Sequence, residues 1–446
     1  MNGDPENHGH PAKQADRESE RTQTSNEIQQ ENEKHHEEDI LTFPEGGTRA
    51  WLVVLGVWLM QFCTFGYTNA YGVYNDFYVR DYMAEKYTSS QISWIGSVQL
   101  FLVLSSGLVS GRAFDVGYFY HLMIGGSLLL VFCLFMLSIT QPEQYYQVFL
   151  TQGLGMGIAV GMTYIPGLGV VSHYFQRRRA LAIGVATTGT AVGGALHPIM
   201  LNKWFHGSLG FHNGVRASAG LNAGLLIISI LLMKPRLPPS IKAHSTLRSL
   251  RVFLQDIPYV VMVLGTVLVL AGLYFPIFFL QLNSIKNGID ADLAFYTIAI
   301  LNGASFLGRV LPNMLVYRFG AFNVVIPCIT ISAALIFCTL AVKDVAGTMV
   351  FAICYGFFSG AYVSLLAPMI GSLAKNDSEI GARLGICFTF TGLGGLIGSP
   401  IAGALLSTTF KFWKPILFAG LSVSCGTVCF CITRYMRSRK LGTQWL

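Results

Sequence analysis

Residues 257–279 read IPYVVMVLGTVLVLAGLYFPIFF and contain no charged side chain. An α-helix needs about 20 such residues to cross the hydrocarbon core of a bilayer. Further apolar stretches of similar length recur along the chain, so the sequence predicts an all-α integral membrane protein with twelve transmembrane helices. The predicted helices 1 to 12 cover residues 51–74, 91–111, 121–139, 148–171, 180–201, 215–233, 256–279, 293–313, 322–342, 346–367, 381–403 and 413–433.

The composition supports lipid as the main solvent of the chain. Hydrophobic residues make up 52% of the 446 positions and charged residues only 12%, about half the charged share of a soluble domain. A soluble core could not bury so much apolar surface. The basic residues lie between apolar runs and form no aromatic-interleaved patch, so the net charge of +7 predicts no nucleic-acid partner.

The hydrophobic pattern divides the chain into two halves. A basic segment with three prolines, Lys234 to Arg251, separates six predicted helices from six more. The predicted organisation is a disordered cytosolic tail over 1–48, a six-helix bundle over 49–233, a cytosolic linker over 234–254, a second six-helix bundle over 255–434 and a cytosolic tail over 435–446.

The Lys and Arg residues predict the orientation. With both termini in the cytosol, the cytosolic connections and C-terminal tail hold 17 of these residues and the external connections hold 8. Positive residues accumulate on the cytosolic side, which favours this orientation.

Two signals recur at matching places in the halves. Gly111-Arg112 ends predicted helix 2, and Gly308-Arg309 lies near the end of helix 8. Gly193-Gly194 in helix 5 is echoed by Gly394-Gly395 in helix 11. The offsets, about 200 residues, predict a parallel internal repeat. Glycines spaced by four on helices 4 and 5 predict faces for close helix packing.

The connection between helices 2 and 3 resembles a known signature. Residues 111–117, GRAFDVG, look like the loop motif of the major facilitator superfamily. Glycine permits a tight turn, and an aspartate can accept hydrogen bonds at a neighbouring helix N-terminus. The alternative is an ordinary turn at the membrane surface. Under the resemblance, the gating residues are Gly111, Arg112, Asp115 and Gly117.

Two further segments resemble the monocarboxylate transporter family, and its fungal branch in particular. One is EGGTRAW at 45–51, and the other is YFQRRRALAIG at 174–184. The resemblance implies two six-helix bundles that transport a small organic molecule. In that family a lysine of helix 1 and an aspartate of helix 8 take part in proton-linked transport, but Asn69 and Ser305 occupy those places here. Proton–lactate symport therefore does not follow from the resemblance.

Transporters of this fold bind substrate near the bilayer midplane. Polar residues deep in the predicted helices suggest a cavity for a neutral or singly anionic organic molecule, although each could instead bond to a neighbouring helix. The substrate-binding candidates are Asn69, Tyr71, Thr163, Tyr164, Tyr274, Asn302, Ser305, Arg309, Tyr355, Ser359 and Tyr362.

Two ionisable candidates have alternative roles. A charge within a span is costly, so Arg309 is a candidate for substrate or gate contact, but its place near the end of helix 8 would also suit an interfacial anchor. His197 is the candidate for proton coupling, and the alternative is a histidine bonded within the core. The nine cysteines lack ligand spacing, so neither a metal nor a cofactor is expected.

The sequence favours a secondary transporter of a small organic solute, monocarboxylate-like or related, working by alternating access. The alternatives are an exporter of a fungal secondary metabolite and a transporter-like receptor that senses a nutrient without moving it. No catalytic motif indicates an enzyme. The expected partners are the substrate, the lipid bilayer and, as a candidate, protons. We expect a monomer in the plasma membrane, with the vacuolar or another internal membrane as the alternative.

Overall fold

The computed structural model describes residues 43–83, 85–237, 253–374, 380–406 and 412–442. The described residues from Glu45 onward form one compact unit. Most of the predicted N-terminal tail and most of the predicted linker therefore lie outside the described residues.

Twelve helices within the described residues are long and apolar enough to cross a membrane, which confirms the predicted fold class. They are α1 (Gly47–Tyr82), α2 (Gln91–Asp115), α3 (Phe119–Leu137), α4 (Tyr145–Val171), α5 (Arg179–Phe205), α6 (Gly210–Leu232), α7 (Ile257–Lys286), α8 (Leu293–Phe319), α9 (Ala321–Cys338), α10 (Val345–Ser372), α11 (Gly381–Leu406) and α12 (Trp413–Lys440).

Several helices extend beyond the predicted spans. The α8 helix ends at Phe319 instead of residue 313, and α12 continues to Lys440 through part of the predicted C-terminal tail. A hydropathy pattern ends where charged residues begin, but backbone hydrogen bonding continues through them. The extension matters for Arg309, which lies ten residues from the end of α8 instead of four.

Three helices in the first half are irregular, and one of them, α2, is interrupted at Ser106. The α1 helix is interrupted at Thr64 and again at Asn69 and Ala70, and its last turn, Tyr78–Tyr82, is π-helical. The α4 helix has a π-helical segment at Phe149–Gly155. Such segments are rare and occur frequently at functional sites.

Helix pairing is the same in both halves. In the first half, α1 packs on α5 and α6, α3 packs on α4 and α6, and α2 packs on α4. In the second half, α7 packs on α11 and α12, α9 on α10 and α12, and α8 on α10. Each pair is matched by the pair six helices later, as a parallel repeat requires.

The halves meet mainly along α5 with α8 and α2 with α11. We call the end of the bundle where α2 ends, α5 begins, α8 ends and α11 begins the inner end; it is the end predicted to face the cytosol. The other end is the outer end.

The glycine faces pack as predicted. A Cβ on Gly157 would lie 3.1 Å from the Gln99 carbonyl oxygen of α2, and one on Gly189 would lie 2.2 Å from the Trp58 carbonyl oxygen of α1. Only glycine permits backbones to approach so closely.

The α8–α10 contact gives a test of this packing. A Cβ at Gly308 would lie 1.9 Å from the Phe357 carbonyl oxygen, so Gly308→Ala must push the two helices apart. We expect the free energy of unfolding to fall by about 1–3 kcal/mol. A lower midpoint of thermal unfolding of the purified protein would show this. Gly303→Ala in the same helix is the control, because a Cβ there meets nothing within 4 Å. Equal midpoints for the two variants would contradict the packing.

Candidate functional site: a central polar cluster above a closed inner end

Hydrogen bonds between the halves lie from the midplane to the inner end. Asn302 Nδ2 donates to the Gly194 carbonyl oxygen at 3.2 Å, and Arg309 Nη1 donates to the Thr187 carbonyl oxygen at 3.0 Å. Across the other seam, the Thr389 hydroxyl donates to the Ser105 carbonyl oxygen at 3.3 Å. The Arg309 bond belongs to the central cluster described below, and the Asn302 bond lies on its outer side. Nearer the inner end, Arg177 Nη2 donates to the Tyr317 hydroxyl at 3.3 Å, a contact that helps to close the halves there.

The motif between α2 and α3 contributes to this closure. Gly111 to Asp115 form the last turn of α2, and Gly117 has a φ of 101°, a conformation that favours glycine. The Asp115 carboxylate lies against the start of α11, where a Cβ on Gly381 would be 2.9 Å from Asp115 Oδ2. A carboxylate at a helix N-terminus is stabilised by the helix dipole. The motif therefore contacts the opposite half.

The two segments that resemble monocarboxylate transporters meet at the inner end. Glu45 accepts hydrogen bonds from the backbone N–H groups of Gln176 and Arg177, at 2.8 and 2.5 Å, and from that of Arg178 at 3.0 Å. The φ angles of 52°, 154° and 84° at Glu45, Gly46 and Gly47 turn the chain so that the carboxylate reaches these groups. The sequence alone gave no sign of this contact.

Ionisation of Glu45 follows from the same contact. Partial burial opposes the charged form, but the three backbone N–H donors outweigh it and hold the pKa of the Glu45 carboxyl below its ordinary value. The Glu45 carboxylate is therefore charged when its hydrogen bonds hold the start of α5 next to the start of α1.

Arg309 is the charged group at the centre. It is 5% exposed, and its Nε donates to the Ser305 hydroxyl at 3.3 Å. Ten residues of α8, about 15 Å of helix, separate it from the inner end of that helix. No carboxylate among the described residues forms an ion pair with it.

Two tyrosines, one from each half, lie near the guanidinium. The hydroxyls of Tyr164 and Tyr274 lie close enough to Arg309 to interact with it electrostatically. The Tyr164 ring packs on Phe65 of α1 at 5.2 Å and on Phe388 of α11 at 5.9 Å between centroids. Arg309, Tyr164 and Tyr274 thus form the central cluster, bounded by Phe65 and Phe388.

Asn302 and Asn69 lie on the outer side of this cluster. A Cβ on Gly194 would be 2.9 Å from Asn302 Oδ1 and 3.3 Å from Asn69 Cβ, so the two asparagines approach each other across the seam. Ser305 positions Arg309, through the hydrogen bond given above.

The α10 candidates have differing environments. The Tyr355 hydroxyl donates to the Leu273 carbonyl oxygen at 2.5 Å, and the Ser359 hydroxyl donates to the Tyr355 carbonyl oxygen at 2.6 Å. These two are engaged in helix packing. Tyr362 is 1% exposed, and its hydroxyl has no hydrogen-bond partner within the described part of the chain.

Three candidates point away from the cluster. The Tyr71 hydroxyl bonds to the Ile92 carbonyl oxygen of α2 at 2.7 Å, and Thr163 packs towards Gly126 of α3. His197 lies inside the first half, where its Nε2 is 3.2 Å from the Phe62 carbonyl oxygen and its ring packs on Tyr67 at 4.9 Å.

A second buried arginine contrasts with Arg309. Arg383 Nη1 is 2.8 Å from Asp256 Oδ2, and its guanidinium lies over the rings of Phe253 and Tyr259. A buried charge with a carboxylate partner is a structural tie between α7 and α11. Within the described residues, no group of three or more His, Cys, Asp or Glu side chains could hold a metal ion.

Twelve spanning helices in a repeated arrangement, closed at one end around a central charged cluster, define the architecture of a secondary transporter. The chain belongs to the Major Facilitator Superfamily, whose family profile matches residues 57–312. It is therefore a membrane transporter and not an enzyme.

Comparisons with individual proteins agree with this assignment. The aspyridones efflux protein apdF of Emericella nidulans is 35% identical over 86% of this chain and 78% of its own length. The agnestins efflux protein AgnL12 of Paecilomyces divaricatus is 33% identical over 86% of this chain and 87% of its own. The human organic anion transporter MFSD10 has the same fold, with a TM-score of 0.66 and 13% identity over 87% of this chain and all of its own.

The contact of Asp115 with α11 predicts a defect in rate. Asp115→Asn keeps the shape but removes the charge at the helix N-terminus, an interaction of up to about 2 kcal/mol in a partly buried site. We expect a several-fold lower maximal transport rate in proteoliposomes, with substrate affinity changed less than about twofold. Asp76→Asn is the control, because Asp76 pairs with Arg80 on an exposed surface at the outer end. Weakened binding with normal turnover would show that Asp115 has another role.

Proposed function

We propose that this protein exports a small organic acid, a secondary metabolite with an aromatic or other planar body, by alternating access between its halves. The observation that carries the proposal is Arg309, a charge at the centre of the bundle with no carboxylate partner among the described residues. A buried cation within a membrane span is costly without an anion. An acidic group of the substrate would supply that anion.

The chemistry around Arg309 supports this substrate class. A guanidinium binds a carboxylate or enolate through charge-assisted hydrogen bonds, which are stronger than neutral ones. The rings of Phe65, Tyr164 and Phe388 would pack on an apolar body. Export as the direction rests on the relatives, since apdF and AgnL12 are both named efflux proteins.

Membership of the monocarboxylate-like branch is part of the proposal. Its support is the pair of segments at 45–51 and 174–184, which resemble that branch and contact each other through Glu45. A two-bundle organisation with both termini and the 234–254 linker in the cytosol is the topology we propose with it. The plasma membrane is the proposed location, as the direction of export requires.

Arg309→Ala tests the proposed substrate class. With purified protein, we expect binding of 2-naphthoate to weaken about 10- to 100-fold, because a charge-assisted contact is worth about 1.5–3 kcal/mol. The neutral isostere 2-naphthamide should change less than threefold. Isothermal titration of both probes against both proteins measures the difference.

Arg216→Ala is the matched control, because Arg216 is an exposed arginine near the outer end of α6. In cells that produce the acid, the Arg309→Ala variant should also retain it inside, as profiling of cells and medium would reveal. Equal losses for naphthoate and naphthamide would overturn the role of Arg309 in charge recognition.

The second proposal concerns the coupling of transport to a proton gradient. Arg309 forms no ion pair with an Asp or Glu of the described residues, and His197 lies ten residues along α5 from Thr187, about 15 Å from the Arg309 contact. We therefore expect transport that is either independent of a pH gradient or loses its proton dependence in His197→Ala. Uptake of 2-naphthoate into proteoliposomes, with and without an imposed gradient, measures this.

His206→Ala is the control for that experiment, because His206 is exposed at the outer end of the same helix. Proton-driven accumulation that survives His197→Ala would refute the coupling proposal while leaving the substrate proposal intact.

A further inference from the structure

Gln61 is a buried amide that no sequence criterion singled out. It lies within α1 with 0% exposure, and neither its Nε2 nor its Oε1 has a hydrogen-bond partner within the described residues. Buried side-chain amides are nearly always hydrogen-bonded, because an unpaired polar group away from water costs free energy. Burying Gln61 without a hydrogen-bond partner therefore lowers the stability of the protein, which a purely structural role does not explain.

The register of α1 shows which way Gln61 faces. Trp58 and Phe62 lie on the side that packs against α5, where the Trp58 Nε1 donates to the Thr188 hydroxyl at 2.9 Å. Met60 lies on another side, where its Cε would be 2.0 Å from a Cβ on Gly167 of α4. Successive residues of a helix are about 100° apart, so Gln61, which lies between Met60 and Phe62, faces between the α4 and α5 sides. Tyr164 of the central cluster is a residue of α4.

Gln61 also lies at the depth of Arg309. Helix side chains lean towards the N-terminus of their helix, so the Gln61 amide lies near the level of Trp58, whose carbonyl oxygen packs on Gly189 of α5. Arg309 bonds to the carbonyl oxygen of Thr187, two residues along the same helix and about 3 Å away in depth. The amide and the guanidinium thus lie at similar depth, one in each half of the bundle.

We propose that Gln61 is a second substrate-binding residue, which recognises an uncharged hydroxyl, lactam or carboxamide group on the acid whose charge Arg309 binds. This inference rests on the proposed function and adds to it a specificity for one neutral polar group. An amide offers both donors and an acceptor, so it can bond to either kind of group. A site built to bond such a group rejects analogues that lack it, because its own polar atoms are then left unpaired.

Gln152 provides a matched control for the structural alternative. It is also a buried glutamine, but its Oε1 accepts a hydrogen bond from the Tyr78 hydroxyl at 2.6 Å. Methionine is close to glutamine in volume and carries no amide, so Gln61→Met and Gln152→Met make the same change at an unpaired and at a paired amide. Without substrate, Gln61→Met should raise the midpoint of thermal unfolding, and Gln152→Met should lower it.

Binding of two probes tests the role itself. We expect the full-length protein to bind 6-hydroxy-2-naphthoate at least about tenfold more tightly than 2-naphthoate, since one buried hydrogen bond is worth about a factor of ten. Gln61→Met should abolish this preference, so that the two probes bind the variant with equal affinity. Isothermal titration with the purified protein measures both affinities.

The outcomes separate this inference from the function on which it rests. A preference for the hydroxylated probe that persists in Gln61→Met, or a Gln61→Met protein less stable than the unaltered one, overturns the role of Gln61. If Arg309→Ala still weakens 2-naphthoate binding in that case, the proposed function stands without it. If the unaltered protein binds neither probe, the inference falls together with the proposed substrate class.

Discussion

The structure depends on how closely the two halves can approach each other at the inner end. A Cβ on Gly184 would lie 2.5 Å from the Arg309 carbonyl oxygen, and one on Gly385 would lie 3.0 Å from the Gly107 carbonyl oxygen. In lipid, helices gain little from the hydrophobic effect when they associate, so van der Waals contact and a few hydrogen bonds hold the seam closed. Contacts of this kind are weak enough to break, which an alternating-access transporter requires. The positions of Arg309 and Asp115 both follow from this seam.

The two buried arginines of the second half differ in how their charges are compensated. Arg383 has Asp256 and two aromatic rings, so its desolvation is offset within the second half. Arg309 has a backbone carbonyl, a serine hydroxyl and tyrosines, which stabilise a guanidinium but do not neutralise it. Two arginines of the same half thus differ in the one property that matters for ligand binding. The first ties α7 to α11, and the second remains available to an anion.

Much of the fold could be predicted from the sequence, because lipid imposes a pattern of about 20 apolar residues per span. The ends of the helices could not, since helical hydrogen bonding runs on through charged residues, as at the end of α8. The direction in which a single polar side chain points could not be predicted either. Tyr71 and Thr163 point towards neighbouring helices of their own half. The sequence did not identify Gln61 as a candidate, because an unpaired amide in an apolar stretch cannot be distinguished there from a hydrogen-bonded one. Its place between Met60 and Phe62 has meaning only once those two residues are known to pack on α4 and α5.

The internal repeat explains why charge recognition falls to one half alone. Arg112 and Arg309 follow equivalent glycines, yet α2 ends three residues after Arg112 and α8 continues for ten residues beyond Arg309. The longer helix carries its arginine to the midplane, whereas Arg112 stays exposed near the inner end. Under the roles proposed here, the second half binds the charge of the substrate and the first half binds its neutral group through Gln61. A ligand that bonds to both halves favours the arrangement in which the two groups are at the correct separation. Differential contact of this kind is what allows substrate to shift the equilibrium between transport states.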